Sequence, residues 1–125
     1  MPKTTKIAII EDDQAIAQMY RIKFEAEGYE VETAENGKLG LALAEEMKPD
    51  IILLDLMMPE MNGDEMLAKM RKTDWGKDIK VVILTNMGEQ EIPDEVKKLG
   101  VSAVILKADM TPRQVAELVK EQLNK

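Results

Sequence analysis

The side chains able to do chemistry in this sequence stand at the ends of short apolar runs. KIAII is followed by Glu11, Asp12 and Asp13, IILL by Asp55, VVIL by Thr85, and VIL by Lys107. If those runs are strands of one parallel sheet, the residues that follow them reach a common rim. Carboxylates gathered there repel: at about 4 Å and an effective dielectric of about 20, each pair costs roughly 4 kcal/mol. One lysine cannot neutralise Asp12, Asp13 and Asp55 together, so protonation, a further cation or a divalent metal has to offset the charge. Oxygen ligands in a chain with no His and no Cys favour Mg²⁺ or a similar hard ion, which keeps positions open for water and phosphate oxygens. Asp55 is then a candidate nucleophile, since carboxylates form acyl phosphates. A metal on Asp13 and Asp55 would neutralise a transferring phosphoryl group, Lys107 would hold one phosphate oxygen, and the Thr85 hydroxyl would donate to another.

Composition removes other chemistries. Without His there is no Ser-His-Asp triad and no imidazole ligand, and the chain cannot form phosphohistidine itself. A formal charge of −7 and only 3% aromatic residues argue against direct nucleic-acid binding, which needs clustered Lys and Arg. No apolar stretch approaches the roughly 20 residues of a membrane helix. The opening MPKTTK lacks a secretory apolar segment, and the absence of Cys fits a reducing cytoplasm. At 125 residues, 45% hydrophobic and 33% charged, the chain is expected to form one globular domain over 1–125.

The elements that must position these residues alternate along the chain. Residues 6–11, 30–34, 50–55, 80–85 and 102–107 read as strands. All but EVETA (30–34) are near-continuous apolar runs, as expected of central strands covered on both faces, so EVETA is placed at an edge. Between them lie amphipathic stretches: Ile16, Met19, Tyr20 and Phe24 before Gly28, then Leu39, Leu41 and Met47 before Pro49. Met66, Leu67 and Met70 follow, then Ile92, Val96 and Leu99 before Gly100. Pro93 predicts a late, short fourth helix, and Thr111, Pro112 and Gln114 form a capping box with Pro at the first helical position. Five strand–helix units predict an α/β, flavodoxin-like doubly wound five-stranded parallel sheet with five helices. The strand order 2-1-3-4-5 is borrowed from that fold, in which ligands sit beyond the carboxyl ends of the strands.

The segments IIEDD, DIILLDLMMPEMNG, VVILT and VILK, in order and in register with the five units, resemble the receiver domain of a two-component response regulator, of the single-domain chemotaxis-regulator kind. The resemblance implies that Asp55 is the phospho-acceptor and that Asp12 and Asp13 are the acid pair. Asp13 would bind Mg²⁺ directly, Asp12 mostly through water, and the Met57 backbone carbonyl would be a further ligand. Thr85 and Lys107 would contact the phosphoryl group. The implied donor is a phosphohistidine on a sensor histidine kinase or histidine phosphotransfer protein. A downstream protein would be met through the fourth helix, fifth strand and fifth helix. The implied protein is cytoplasmic, a monomer or weak phosphorylation-dependent dimer, without an output domain, and catalyses only its own phosphorylation and dephosphorylation.

Three positions depart from the family pattern. Ala108 stands where Pro, often with a cis bond, usually follows the lysine. Ile105 replaces an aromatic residue that swings inward as the threonine moves. Asn86 replaces a small residue beside the phosphoryl site. These motivate an alternative, a pseudo-receiver serving as a constitutive protein-interaction module. Plainer readings stand beside the functional ones: Asp12 or Asp13 caps the first helix, and Asp55 with Lys107 forms a structural ion pair. The ten Met residues fill gaps in the core rather than form a binding surface. The acidic stretch GEQEIPDE is a solvated loop or faces a partner. A flavodoxin-like cofactor site lacks a phosphate loop after the first strand, and DLMMP lacks the DxD arrangement of the related phosphatases.

Overall fold

A computed structural model describes residues 4–86 and 91–125. Five strands, β1 (Lys6–Ile10), β2 (Glu30–Ala34), β3 (Ile51–Leu54), β4 (Lys80–Thr85) and β5 (Val101–Leu106), form one parallel sheet in the order β2-β1-β3-β4-β5. The helices are α1 (Gln14–Ala26), α2 (Gly37–Met47), α3 (Gly63–Arg71), α4 (Asp94–Lys97) and α5 (Pro112–Leu123). No helix among the described residues is long and apolar enough to cross a membrane.

The apolar runs explain the layers. Successive side chains of a strand point to opposite faces. Ile7, Ile9, Ile51, Leu53, Val82 and Leu84 therefore pack with Tyr20, Phe24, Val115 and Val119 of α1 and α5. Ala8, Ile10, Ile52, Leu54, Val81 and Ile83 pack on the other face with Met47, Met66, Leu67 and Met70 of α2 and α3. Met66 and Met70 are fully buried, as gap-filling predicts, whereas Met57 and Met19 are exposed. Met87 and residues 88–90 of the acidic stretch lie outside the described residues.

Register sets the rim. Ile10 stands opposite Leu54, Leu54 opposite Ile83, and Thr85 opposite Leu106. The ladder runs one residue past the strands, through Glu11 N–H to Ala34 O at 2.9 Å, Asp55 N–H to Ile10 O at 2.9 Å, and Lys107 N–H to Thr85 O at 2.7 Å.

β2 lies at an edge as its alternation predicts. β5 forms the other edge, as the expected order 2-1-3-4-5 requires, and is mostly half-buried although its apolar run alone resembles a central strand. Its cover is thin because α4, which begins directly after Pro93, has a single turn, leaving a cleft of about 190 Å³ lined by Val96, Val101, Ala103 and Val104. Behind α4 the chain turns at Gly100, where φ is +81°. Arg71, at the end of α3, fastens that corner: its guanidinium donates to Leu99 O at 2.6 Å, Gly100 O at 3.1 Å and Gly76 O at 2.8 Å.

Phe24 is fully buried between Tyr20 and Tyr29, with ring centroids at 6.4 and 6.1 Å. Phe24→Ala should cost about 3–5 kcal/mol of stability, read as a lower urea midpoint at unchanged slope.

Candidate functional site

Asp55 leaves β3 at a point where the chain is fixed on both sides. Its N–H continues the sheet ladder, and Gly63 at the start of α3 lies so close to the Asp55 carbonyl that a Cβ there would collide with it. The side chain is buried, with the residue 4% exposed. Oδ1 accepts the Met57 N–H at 3.1 Å, and Oδ2 accepts from Lys107 Nζ at 3.2 Å.

Glu11 is fully buried beside it. Its Oε2 accepts the Asp13 N–H at 3.1 Å, and its Oε1 lies 2.5 Å from Lys107 Nζ. That second contact is an ion pair without hydrogen-bond alignment, so Oε1 is neutralised but lacks a properly aimed donor. Burial pushes the Glu11 carboxyl up to about 7; Lys107 and the Asp13 N–H oppose that rise, and nearby Asp55 adds to it. Burial alone would lower the Lys107 ammonium, but Glu11 and Asp55 outweigh it and hold Lys107 above its usual range.

The three carboxylates that follow β1 take different positions around Asp55. Carboxylate oxygens of Glu11, Asp12 and Asp55 come within 4.8 Å of one another. Asp13 instead caps α1, its Oδ1 accepting from Ala15 N–H at 3.0 Å and Ile16 N–H at 3.2 Å. The reason is local: α1 begins at Gln14, and its first amides need an acceptor from the residue before. Period two held the missed signal. Ile7, Ile9 and Glu11 share one face of the sheet, as do Ile51, Leu53 and Asp55, and as do Ile105 and Lys107. Counting by twos therefore joins Glu11, Asp55 and Lys107.

The other expected residues line the same cleft, of about 270 Å³, which takes in Asp12, Asp13, Asp55, Met57, Thr85, Asn86 and Lys107 along with Glu11. Thr85 is fully buried and Asn86 exposed, while Met57 is 68% exposed at the rim. Ala108 is exposed in a turn closed by Asp109 N–H to Leu106 O at 3.0 Å, and the described residues contain no cis peptide bond. Ile105 is fully buried with Leu84 and Val115.

The donor set fits a hard divalent cation. It consists of carboxylate oxygens, one of them buried and short of a donor, with a single lysine between two of the acids.

Residues 7–120 match the family model of the response regulator receiver domain. The chain belongs to this receiver family. The receiver is 39% identical over 92 residues to the DNA-binding dual master transcriptional regulator RpaA of Synechocystis sp., covering 74% of this chain but 37% of that regulator. It therefore spans well under half the length of that curated relative. It is 32% identical over 123 residues to the polar-differentiation response regulator DivK of Brucella anthropi, 98% of either chain. A CheY-like receiver structure from Methanospirillum hungatei superposes with a TM-score of 0.88 at 33% identity, covering 98% of this receiver and 95% of that chain. Receivers are signalling modules of two-component systems rather than enzymes in the ordinary sense, and the flavodoxin-like sheet order agrees with these neighbours.

Because the Glu11 carboxyl is harder to ionise when folded, the folded receiver keeps a proton that the unfolded chain has already released. In metal-free buffer its stability should fall as pH rises from 4.5 toward about 7, with the loss complete above that. Lys107, being raised from 10.5, acts outside this window. Urea midpoints across the window should show that slope in the native receiver and a flattened one in Glu11→Gln.

Proposed function

We propose that this receiver accepts a phosphoryl group on Asp55 from a phosphohistidine of a sensor histidine kinase or histidine phosphotransfer protein and thereby switches protein contacts in a cytoplasmic phosphorelay. Residues 1–125 act as a single receiver unit, and the only chemistry they catalyse is on that phosphoryl group. The observation that carries the reading is the buried Asp55 carboxylate at the cleft, one oxygen fixed by the Met57 N–H and the other by Lys107. A carboxylate held at both oxygens is oriented before the donor arrives. In the transfer an Asp55 oxygen forms the new P–O bond while the donor's P–N bond breaks, and the imidazole nitrogen keeps the electron pair. None of these 125 residues can be the donor, because they include no His.

Glu11, Asp12 and Asp55, with the Met57 backbone carbonyl, are the groups that would hold Mg²⁺. When bound it supplies positive charge against the phosphoryl oxygens. Lys107, already between Glu11 and Asp55, supplies a second positive charge, and Thr85 lines the cleft where its hydroxyl meets a phosphoryl oxygen. Asn86, exposed beside Thr85, modulates access of water and donor. The downstream partner meets the face of α4, β5 and α5.

Incubation with acetyl phosphate and Mg²⁺ should give a singly phosphorylated intact mass that Asp55→Asn abolishes. No phosphorylated species on the native receiver, or one that persists in Asp55→Asn, sinks the reading and leaves the constitutive interaction module in its place.

The two candidate acid pairs also part in solution. Asp12→Ala should weaken Mg²⁺ binding by on the order of tenfold or more, since loss of an outer-sphere partner alone costs that much. Asp13→Ala should leave Mg²⁺ affinity near the native value while costing about 1 kcal/mol of stability as a lost helix cap. Calorimetric Mg²⁺ titration and urea unfolding read the two effects separately.

A further inference from the structure

The loop between β3 and α3 carries the Met57 amide that holds Asp55, and its shape is not one the loop prefers. Glu60 sits at φ +65°, a left-handed conformation that costs a residue with a side chain roughly 1–2 kcal/mol, and Met61 N–H folds back on Pro59 O at 2.7 Å. Something outside the loop has to hold that bend. At the loop's end Gly63 N–H returns to Leu56 O at 3.1 Å; midway, the Met61 carbonyl accepts the Gly37 N–H at 2.7 Å.

Gly37 is the first residue of α2, and its amide is one of the donors a helix cannot satisfy internally. The neighbouring Asn36 side chain takes the Leu39 N–H at 2.8 Å, which leaves the Gly37 amide for the loop. The approach requires glycine: a Cβ at this position would collide with the Met61 carbonyl oxygen and stand 2.9 Å from its carbonyl carbon and Cγ.

We propose that Gly37 is a positioning residue for the Asp55 site: its amide, unshielded by any side chain, holds the Met61 carbonyl and so fixes the loop that presents the Met57 backbone to Asp55. The role in cation binding rests on the function proposed above; the role in loop positioning does not. Gly40, one turn further along α2, supplies the control. A Cβ there would press on side chains, Ile10 Cγ2 at 2.7 Å and Met66 Sδ at 3.0 Å, and not on the loop.

The experiment compares the full chain with Gly37→Ala and Gly40→Ala by calorimetric Mg²⁺ titration, by amide hydrogen exchange at Met57 in the metal-free protein, and by urea unfolding. Gly37→Ala should weaken Mg²⁺ binding by about ten- to a hundredfold, the loss usual for a group that orients a ligand, and should speed exchange at Met57. Gly40→Ala should lose stability and keep both. Equal effects in the two variants, or unchanged Met57 exchange in Gly37→Ala, overturn the proposal. If Gly37→Ala does not fold, an amide-to-ester exchange at residue 37 deletes the donor without adding bulk. Native-like Met57 exchange in the ester then overturns the proposal, and faster exchange supports it. If the native chain binds no Mg²⁺, the proposed function fails, while Met57 exchange still decides the positioning role.

Discussion

One ammonium group, Lys107, stands between two buried carboxylates, and the character of the rim follows from that uneven sharing. Nζ lies 2.5 Å from Glu11 and 3.2 Å from Asp55. Burying a charge is costly unless it is paired, and here two acids divide one base with a third acid, Asp12, close by. Burial raises the Glu11 carboxyl, while Glu11 and Asp55 raise the Lys107 ammonium against the opposing effect of burial. A purely structural ion pair would not need the surplus acids. The excess negative charge suits the hard cation that the proposed function calls for.

The sheet makes this crowding unavoidable. Parallel pairing of β1 with β3 sets Ile10 opposite Leu54, so the residues that follow each strand become neighbours whatever their charge. Lys107 offsets part of that repulsion, and the packing on both faces of β1, β3 and β4 holds the strands in register against the rest. Position 105 is Ile, so there is no aromatic ring at that place to swing inward. Ile105 is fully buried among Leu84 and Val115, and a side chain already inside cannot report by moving in.

Much of this was legible from residue order. Continuous apolar runs marked β1, β3 and β4, Pro93 marked the one-turn α4, and Thr111 with Gln114 marked the start of α5. Asp55, Thr85 and Lys107 fell where strand ends predicted, because the ends of parallel strands share a rim. IIEDD offers three consecutive carboxylates: the strand alternation carries Glu11 into the interior beside Asp55, and the start of α1 at Gln14 makes Asp13 its cap. The edge position of β5 followed from the borrowed strand order and not from VSAVIL itself, which is as apolar as a central strand. Neither the Gly37–Met61 hydrogen bond nor the Arg71 contacts had any local signal, since each joins segments that are distant in sequence.

The Arg71 guanidinium gathers carbonyls from both sides of the bend behind α4, at the end of β5 away from the acids. Neutralising several carbonyl dipoles with one delocalised cation makes that bend stiff. One side chain at the end of α3 thereby ties the start of β5 to the Gly76 turn and closes, from behind, the corner on which the single turn of α4 rests.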